Sequence, residues 1–417
     1  MGERKSRKKR NKKQKITINS EGFFSIKKLS KKGVLILIAI IVLLGIAIYG
    51  IVSNAQKNNG LLEIGDNQKD QEKYVWGQVQ AKTKNTNNYT MVTSADGIQV
   101  PVPTGYTASS VSGENSVSTG FVIYEGTDAV TSSNQWEAQC NRNQYVWVPI
   151  SDVSDMYWSD STTGKKYGTT YTFSSSSYSK SSSNKREPQT TSRDIQSTYL
   201  SQYANGISRQ DLLQKMEIDF DEMLTSIATY GGFYIGRYQA GDLAQATPVV
   251  KRINSDIGSQ TWYTMWKKSP RLSTGGANVH MIWGTQWDQT LKWLIDSGNK
   301  TYSEVGSDST SWGNYYNNSF TYYTDMSKNT ATKASSRSVR IPSGAYDGAK
   351  ANNVFDLAGN VWDWTCESSG SGTGNGRYIR GGYYGTYGYY VPAANRGSIS
   401  PNDSGYSVGL RCALYIK

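Results

Sequence analysis

Apolar and polar positions change period several times along the chain. Gly33 to Val52 is an unbroken apolar run of 20 residues without a charge. As a helix rising about 1.5 Å per residue it spans roughly 30 Å, the hydrocarbon thickness of a bilayer. Residues 53–92 are polar and predict a stalk with one strand around Tyr74–Gln80. Short apolar runs bounded by Gly, Pro and Asn follow. Of these, Ile98–Pro103, Gly120–Glu125 and Gln144–Ile150 predict strands. Residues 159–206 are Ser-rich and predict an exposed or disordered insertion, too polar to pack. From Ser208 to Thr229 the spacing turns helical, with Leu212, Leu213, Met216, Ile218, Phe220, Met223, Leu224 and Ile227 largely on one broad face and Ser208 as N-cap. Thr285–Ser297 predicts a second amphipathic helix through Trp287, Leu291 and Leu294. Two helices among many short strands predict an α+β fold for residues 93–417.

Charge sharpens the N-terminal picture. The chain carries a net +12, but residues 1–32 hold 13 Lys and Arg against two Glu, which leaves the remaining 385 residues near +1. A basic cluster directly before an apolar run reads as the cytoplasmic flank of a membrane anchor. That sets aside nucleic acid as a partner of this arm. The expectation is a basic cytoplasmic segment 1–32, a transmembrane helix 33–52 and an extracytoplasmic C-terminal region held at the cell membrane. A cleaved signal peptide is the rival, because Ser53-Asn54-Ala55 offers a small-residue site, although the apolar core is long for one.

Three cysteines and one histidine limit the chemistry. Cys140, Cys366 and Cys412 are too few for a disulfide scaffold. Cys366 and Cys412 are a candidate pair, with three unpaired thiols as the alternative. His280 stands alone, so no site can bring two imidazoles to one metal, and its expected role is packing.

The C-terminal 64 residues, from Val354, combine two short Gly-rich frames, DLAGNVWDW and RGG…NR…GLRC, with a tract of another character. Five of the eight residues from Tyr383 to Tyr390 are Tyr. Trp362 and Trp364 are two residues apart and point to one face of a strand. Asp356 and Asp363 flank a turn as hard oxygen ligands suited to Ca²⁺; solvated turn carboxylates are the alternative.

These frames resemble the formylglycine-generating enzyme/sulfatase-modifying factor family, which has a C-type lectin-like fold. VFDLAGNVWDWTCE (from Val354), IRGG (Ile379–Gly382) and PNDSGYSVGLRC (to Cys412) carry the likeness, and YVWVPI, GGFYIGRYQA and MIWGTQWDQTLKW precede them in the family's order. The resemblance covers roughly residues 95–417 and implies a calcium site of Asp356 and Asp363 side chains with Gly359 and Val361 carbonyls. It also shows what is missing. The family's copper thiolates would fall near Thr386 and Val391, yet no cysteine lies between Tyr383 and Leu410. Iron-dependent relatives need several histidines. Neither copper nor iron is expected, and the chain reads as a non-enzyme on this scaffold.

What the site offers instead is a surface. Tyr383, Tyr384, Thr386, Tyr387, Tyr389, Tyr390, Gly397, Ser398, Ile399, Asp403, Gly405, Tyr406 and Ser407 have the Tyr/Ser/Gly character of binding paratopes. The tract is similar to the variable region of diversity-generating retroelement target proteins. Adenine-specific mutagenesis of AAY codons yields these residue types and never Trp, Lys, Glu, Gln or Met, none of which occurs from Tyr383 to Ser407. The expected activity is binding of a protein or glycan by a diversified face; a fixed binding or structural module, or an enzyme of another chemistry, are the alternatives.

Overall fold

The computed structural model describes residues 84–191, 207–370 and 376–417. The basic segment 1–32, the apolar run 33–52, most of the stalk and the strand expected at Tyr74–Gln80 lie outside these residues. Among the described residues no helix is long and apolar enough to cross a membrane.

Among the described residues the α-helices are α1 (Gln135–Asn141), α2 (Arg209–Tyr230), α3 (Trp262–Lys268), α4 (Gly284–Asp296) and α5 (Tyr302–Gly306). The limits of α2 follow from its sequence. Ser208 Oγ accepts from Asp211 N, and the Asp211 carboxylate accepts in return from Ser208 N, so both orphan donors are satisfied. Gly231 ends it at φ 82°, its amide returning to Ile227 O. Helix α4 is buried over most of its length.

The core is a six-stranded antiparallel sheet in the order Ala277–Met281, Cys412–Ile416, Gly232–Gly236, Gln144–Pro149, Val122–Glu125, Tyr106–Ala108. Both α2 and α4 pack on it. The Gln144–Pro149 strand is buried on both faces, which accounts for its near-continuous apolar YVWV. Trp147 and Tyr234 face each other across the ladder with ring centres 4.9 Å apart. A second sheet of four strands runs Arg396–Ile399, Arg377–Arg380, Trp362–Ser368, Val408–Leu410. The last pair is parallel. The chain crosses from this sheet to the first through a single residue, Arg411. The architecture is α+β, as the pattern predicts.

Three expectations need correction. The Ser-rich segment is no loose insertion over its first part: Lys166–Gly168, Thr170–Phe173 and Tyr178–Ser181 form strands, and Tyr171, Phe173 and Glu187 are buried. Composition over the whole stretch hides this because the buried run 166–171 is short and is followed by exposed serines from Ser174 onward. Residues 192–206 lie outside the described residues. The stalk gives way to the domain earlier than 93, since Tyr89–Thr93 pairs with Gln99–Pro103. Finally, Cys366 and Cys412 are buried on strands of different sheets with no disulfide between them, and Cys366 Sγ is directed at the Met281 carbonyl instead.

Candidate functional site

The two C-terminal frames interlock through Arg411. Its Nε donates to Asp363 Oδ2 (3.1 Å), Nη1 to Gly236 O (2.9 Å), and Nη2 to Phe355 O (2.9 Å) and Asp356 O (3.0 Å). Gln239, from the core sheet's side, adds Nε2 bonds to Val361 O (2.7 Å) and Asp363 Oδ2 (3.2 Å) and accepts from Asn360 Nδ2 (3.1 Å). Gly359 sits at φ 75° beside Asn314, where a Cβ would overlap the Asn314 carbonyl.

Asp356 Oδ2 accepts from Ser343 Oγ (2.9 Å) and Gly344 N (2.8 Å), but Oδ1 of Asp356 and Oδ1 of Asp363 are buried without a hydrogen-bond partner. Burial raises both carboxyls above their ordinary range, lifting Asp363 to about 6 against the opposing pull of Arg411. Two orphaned hard oxygens are the donor type Ca²⁺ takes, and the residues present fit such an ion. Among the described residues no three His, Cys, Asp or Glu side chains form a metal-binding group. Of the two main-chain carbonyls that the resemblance implies, Gly359 and Val361, that of Val361 accepts from Gln239 Nε2.

The tract 383–395 has no regular secondary structure, and its backbone is held from outside. The Tyr315 hydroxyl lies within hydrogen-bond distance of Gly381 O (2.8 Å) and Val391 O (3.0 Å), the carbonyls at the loop's two ends. Tyr316 N donates to Thr386 O (2.8 Å), Ser309 N to Gly388 O (3.3 Å), and Tyr384 N to Asn360 O (3.0 Å). Asn317 Oδ1 accepts from Gly388 N (3.3 Å). Lys333, buried on Phe320, braces this support by donating from Nζ to Tyr315 O and Asn318 O, both 2.7 Å. Burial pulls the Lys333 ammonium down to about 8.

Trp362 brings the predicted surface residues together. Tyr383 stacks on its ring (6.2 Å), Gly397 leaves room beside it, and its amide donates to Ser407 O (2.8 Å). Tyr387 contacts the rings of Tyr316, Tyr389 and Tyr390. Exposure is uneven: Tyr389, Tyr390 and Tyr406 are 47%, 65% and 74% exposed. Tyr383, Tyr384, Thr386 and Tyr387 are half-buried. Gly397 and Ser398 lie on the edge strand of the four-stranded sheet, but its neighbour Ile399 packs against the core. Asp403 accepts from Gly405 N (2.9 Å), closing its own turn, and Tyr406 O accepts from Arg340 Nη1 (3.1 Å).

Below the tract lies a buried ion network. Arg380 Nη2 meets Asp288 Oδ1 at 2.8 Å and also donates to Ala394 O. Arg396 pairs with Asp288 and with Glu367 (3.2 Å). Glu187 accepts from Gly284 N (2.7 Å) and Thr285 N (2.6 Å) at the start of α4. Burial, then repulsion from Glu367, pushes Glu187 up to about 8. His280 is remote from the tract's contacts; its Nδ1 pairs with Asp219 Oδ2 at 2.8 Å.

Sequence reasoning did not single out Tyr315, Tyr316, Asn317, Gln239 or Lys333. The NYYNNS run from Asn314 shares the tract's paired Tyr and was the available signal for the first three.

The sequence signature of the sulfatase-modifying factor enzyme 1-like domain (FGE-sulfatase) matches residues 288–416. This segment is formylglycine-generating-enzyme-like. It contains both frames, the tract between them and Asp288 of the ion network. Among solved structures the chain is similar to the crystal structure of CarF (TM-score 0.30, 13% identity, 45% of this chain and 87% of that one). It is also similar to Treponema denticola variable protein 1 (TM-score 0.28, 15% identity, 44% and 84%). No curated protein matches the chain.

Proposed function

We propose that the chain is a membrane-anchored, extracytoplasmic binding protein that presents residues 383–407 as a diversified ligand-binding face on a formylglycine-generating-enzyme-like scaffold. The observation that carries the reading is where the tract's supports attach. Apart from Arg396, whose side chain pairs with Asp288 and Glu367, the hydrogen bonds that reach it from Tyr315, Tyr316, Ser309, Asn317, Trp362, Arg340 and Arg380 go to main-chain atoms. A loop held by its backbone keeps its course when its side chains change. Exposed Tyr supplies broad contact area with few rotors, which suits a protein or glycan ligand. The anchor is residues 33–52. The protein does no catalysis in this reading: Arg380, Arg396, Asp288 and Glu367, the ionisable groups beneath the tract, are committed to one another.

Ca²⁺ at Asp356 and Asp363 belongs to the same proposal as a pin under the tract. Adding Ca²⁺ to chelator-treated protein is expected to raise Tm in the wild type and not in Asp356→Ala; equal melting with and without the ion removes calcium from the account.

Sequencing the locus in several isolates tests the central claim. The expected result is substitution confined to tract positions with AAY-derived codons, beside a near-identical template and a reverse transcriptase gene. An invariant tract with no such neighbours leaves a fixed binding module.

A further inference from the structure

The hairpin Phe320–Tyr323/Thr330–Lys333 follows the loop that braces the tract, and it carries a concavity made of other residues. A pocket of about 250 Å³ is lined by Thr321, Tyr322, Tyr323, Thr330, Tyr346 and Asp347. Its walls are held in place. Tyr346 stacks on Phe320 with ring centres 3.9 Å apart and planes 14° from parallel, and glycine at 348 leaves space for the Tyr346 phenol. Tyr323 N donates to Ala345 O (3.0 Å), tying the hairpin to the Tyr346 loop. Trp136 of α1 donates from Nε1 to Met326 O (2.8 Å) at the hairpin tip and meets the Tyr323 ring edge-on at 4.9 Å.

The pocket's polar groups are open. The hydroxyls of Tyr322, Tyr323, Tyr346 and Thr330 make no hydrogen bond within the described residues. Asp347 is 61% exposed and pairs with Arg252 through Oδ1, which leaves Oδ2 to accept from a ligand. Aromatic faces beside unpaired hydroxyls and a carboxylate match a molecule with one apolar face and a rim of hydroxyls.

Charge narrows the class. Arg252 lies 5.4 Å from the Tyr323 ring, and both Arg252 (4.5 Å) and Lys328 (4.7 Å) lie over Trp136 behind it. A cationic ligand meets these two cations, and an anionic one meets Asp347. The geometry points to a neutral pyranose sugar bound by Tyr322, Tyr323, Tyr346 and Asp347. This site shares no residue with 383–407 and stands or falls apart from the diversified face.

The test is saturation-transfer NMR and calorimetry on the full-length chain, held without glycoside detergents, using the methyl pyranosides of glucose, galactose, mannose and N-acetylglucosamine. At least one of them is expected to bind in the millimolar range. Asp347→Ala is expected to weaken it roughly tenfold by loss of a charged acceptor, and Tyr322→Ala to weaken it as well. Tyr390→Ala should bind as the wild type does. Melting curves establish that the variants fold; if Tyr322→Ala does not, Asp347→Ala decides. The proposal is overturned if no pyranoside binds, if folded Asp347→Ala binds undiminished, or if tetramethylammonium binds more tightly than every pyranoside.

Discussion

In the strand Trp362–Ser368 every residue is buried, whereas a few residues past Gly382 Tyr389 and Tyr390 keep 47% and 65% of their surface in solvent. The two regions touch, since Tyr383 stacks on Trp362, yet they are stabilised by opposite means. The frame is fixed by its side chains: Arg411, Asp363, Gln239 and Asn360 bond to one another and to carbonyls in the interior. The tract is held largely through its backbone, and some of its side chains, Tyr389, Tyr390 and Tyr406 among them, look outward. The contrast teaches that residues which fix the fold through their side chains can lie next to residues whose side chains the fold leaves in solvent.

The sharpest way to break the comparison is to remove a side chain from the frame. Arg411→Ala deletes one ion pair and three carbonyl bonds and leaves Asp363 buried without its cation. A buried charge stripped of its partner costs about 3–5 kcal/mol, so urea unfolding should show a loss of that order. A loss near zero would mean that the frame is not held by its side chains.

That asymmetry also explains what the sequence made legible. Frame residues announce themselves because burial demands particular types: Trp at two-residue spacing, Gly at 359 beside the Asn314 carbonyl, Arg before Cys412. The limits of α2 were readable from Ser208 and Gly231 for the same local reason. The tract's composition was readable, but its support was not, because Tyr315, Tyr316 and Asn317 act from about 70 residues upstream through atoms every residue possesses. The segment 166–191 misled for a related cause. Its serines are exposed as expected, but Tyr171 and Glu187 reach inward, and Glu187 finds the start of α4 nearly 100 positions away.

Glu187 gives a second, intermediate test, of whether that segment belongs with the frame. Its folded pKa, about 8, lies above the ordinary 4.5. The folded state therefore keeps the proton to higher pH than the unfolded chain does. Its contribution to stability is complete below pH 4.5 and is lost as pH rises through 8. Glu187→Gln cannot titrate, so the stability of the variant relative to wild type should improve steadily across that window in urea melts. Parallel curves would mean that Glu187 does not titrate in the interior, and the segment would then be a surface appendage like the tract.

The smallest expected effect is the most informative about the tract. Tyr389, Tyr390 and Tyr406 give their side chains to solvent, and exposed substitutions away from caps, cores and ion networks usually stay within about 0.5 kcal/mol. Replacing all three with Ser should therefore leave the unfolding midpoint almost unchanged. Tyr383→Ser, which removes the ring stacked on Trp362, should cost more than any one of them, since such a pair adds about 0.5–1.5 kcal/mol beyond area burial. The ranking matters more than the sizes. If the triple variant unfolds readily while Tyr383→Ser is silent, the outward tyrosines hold the loop, and residues that hold a loop cannot be exchanged freely. The ranking predicted here leaves the outer positions free to change at little cost to the fold, as the proposed diversified face requires.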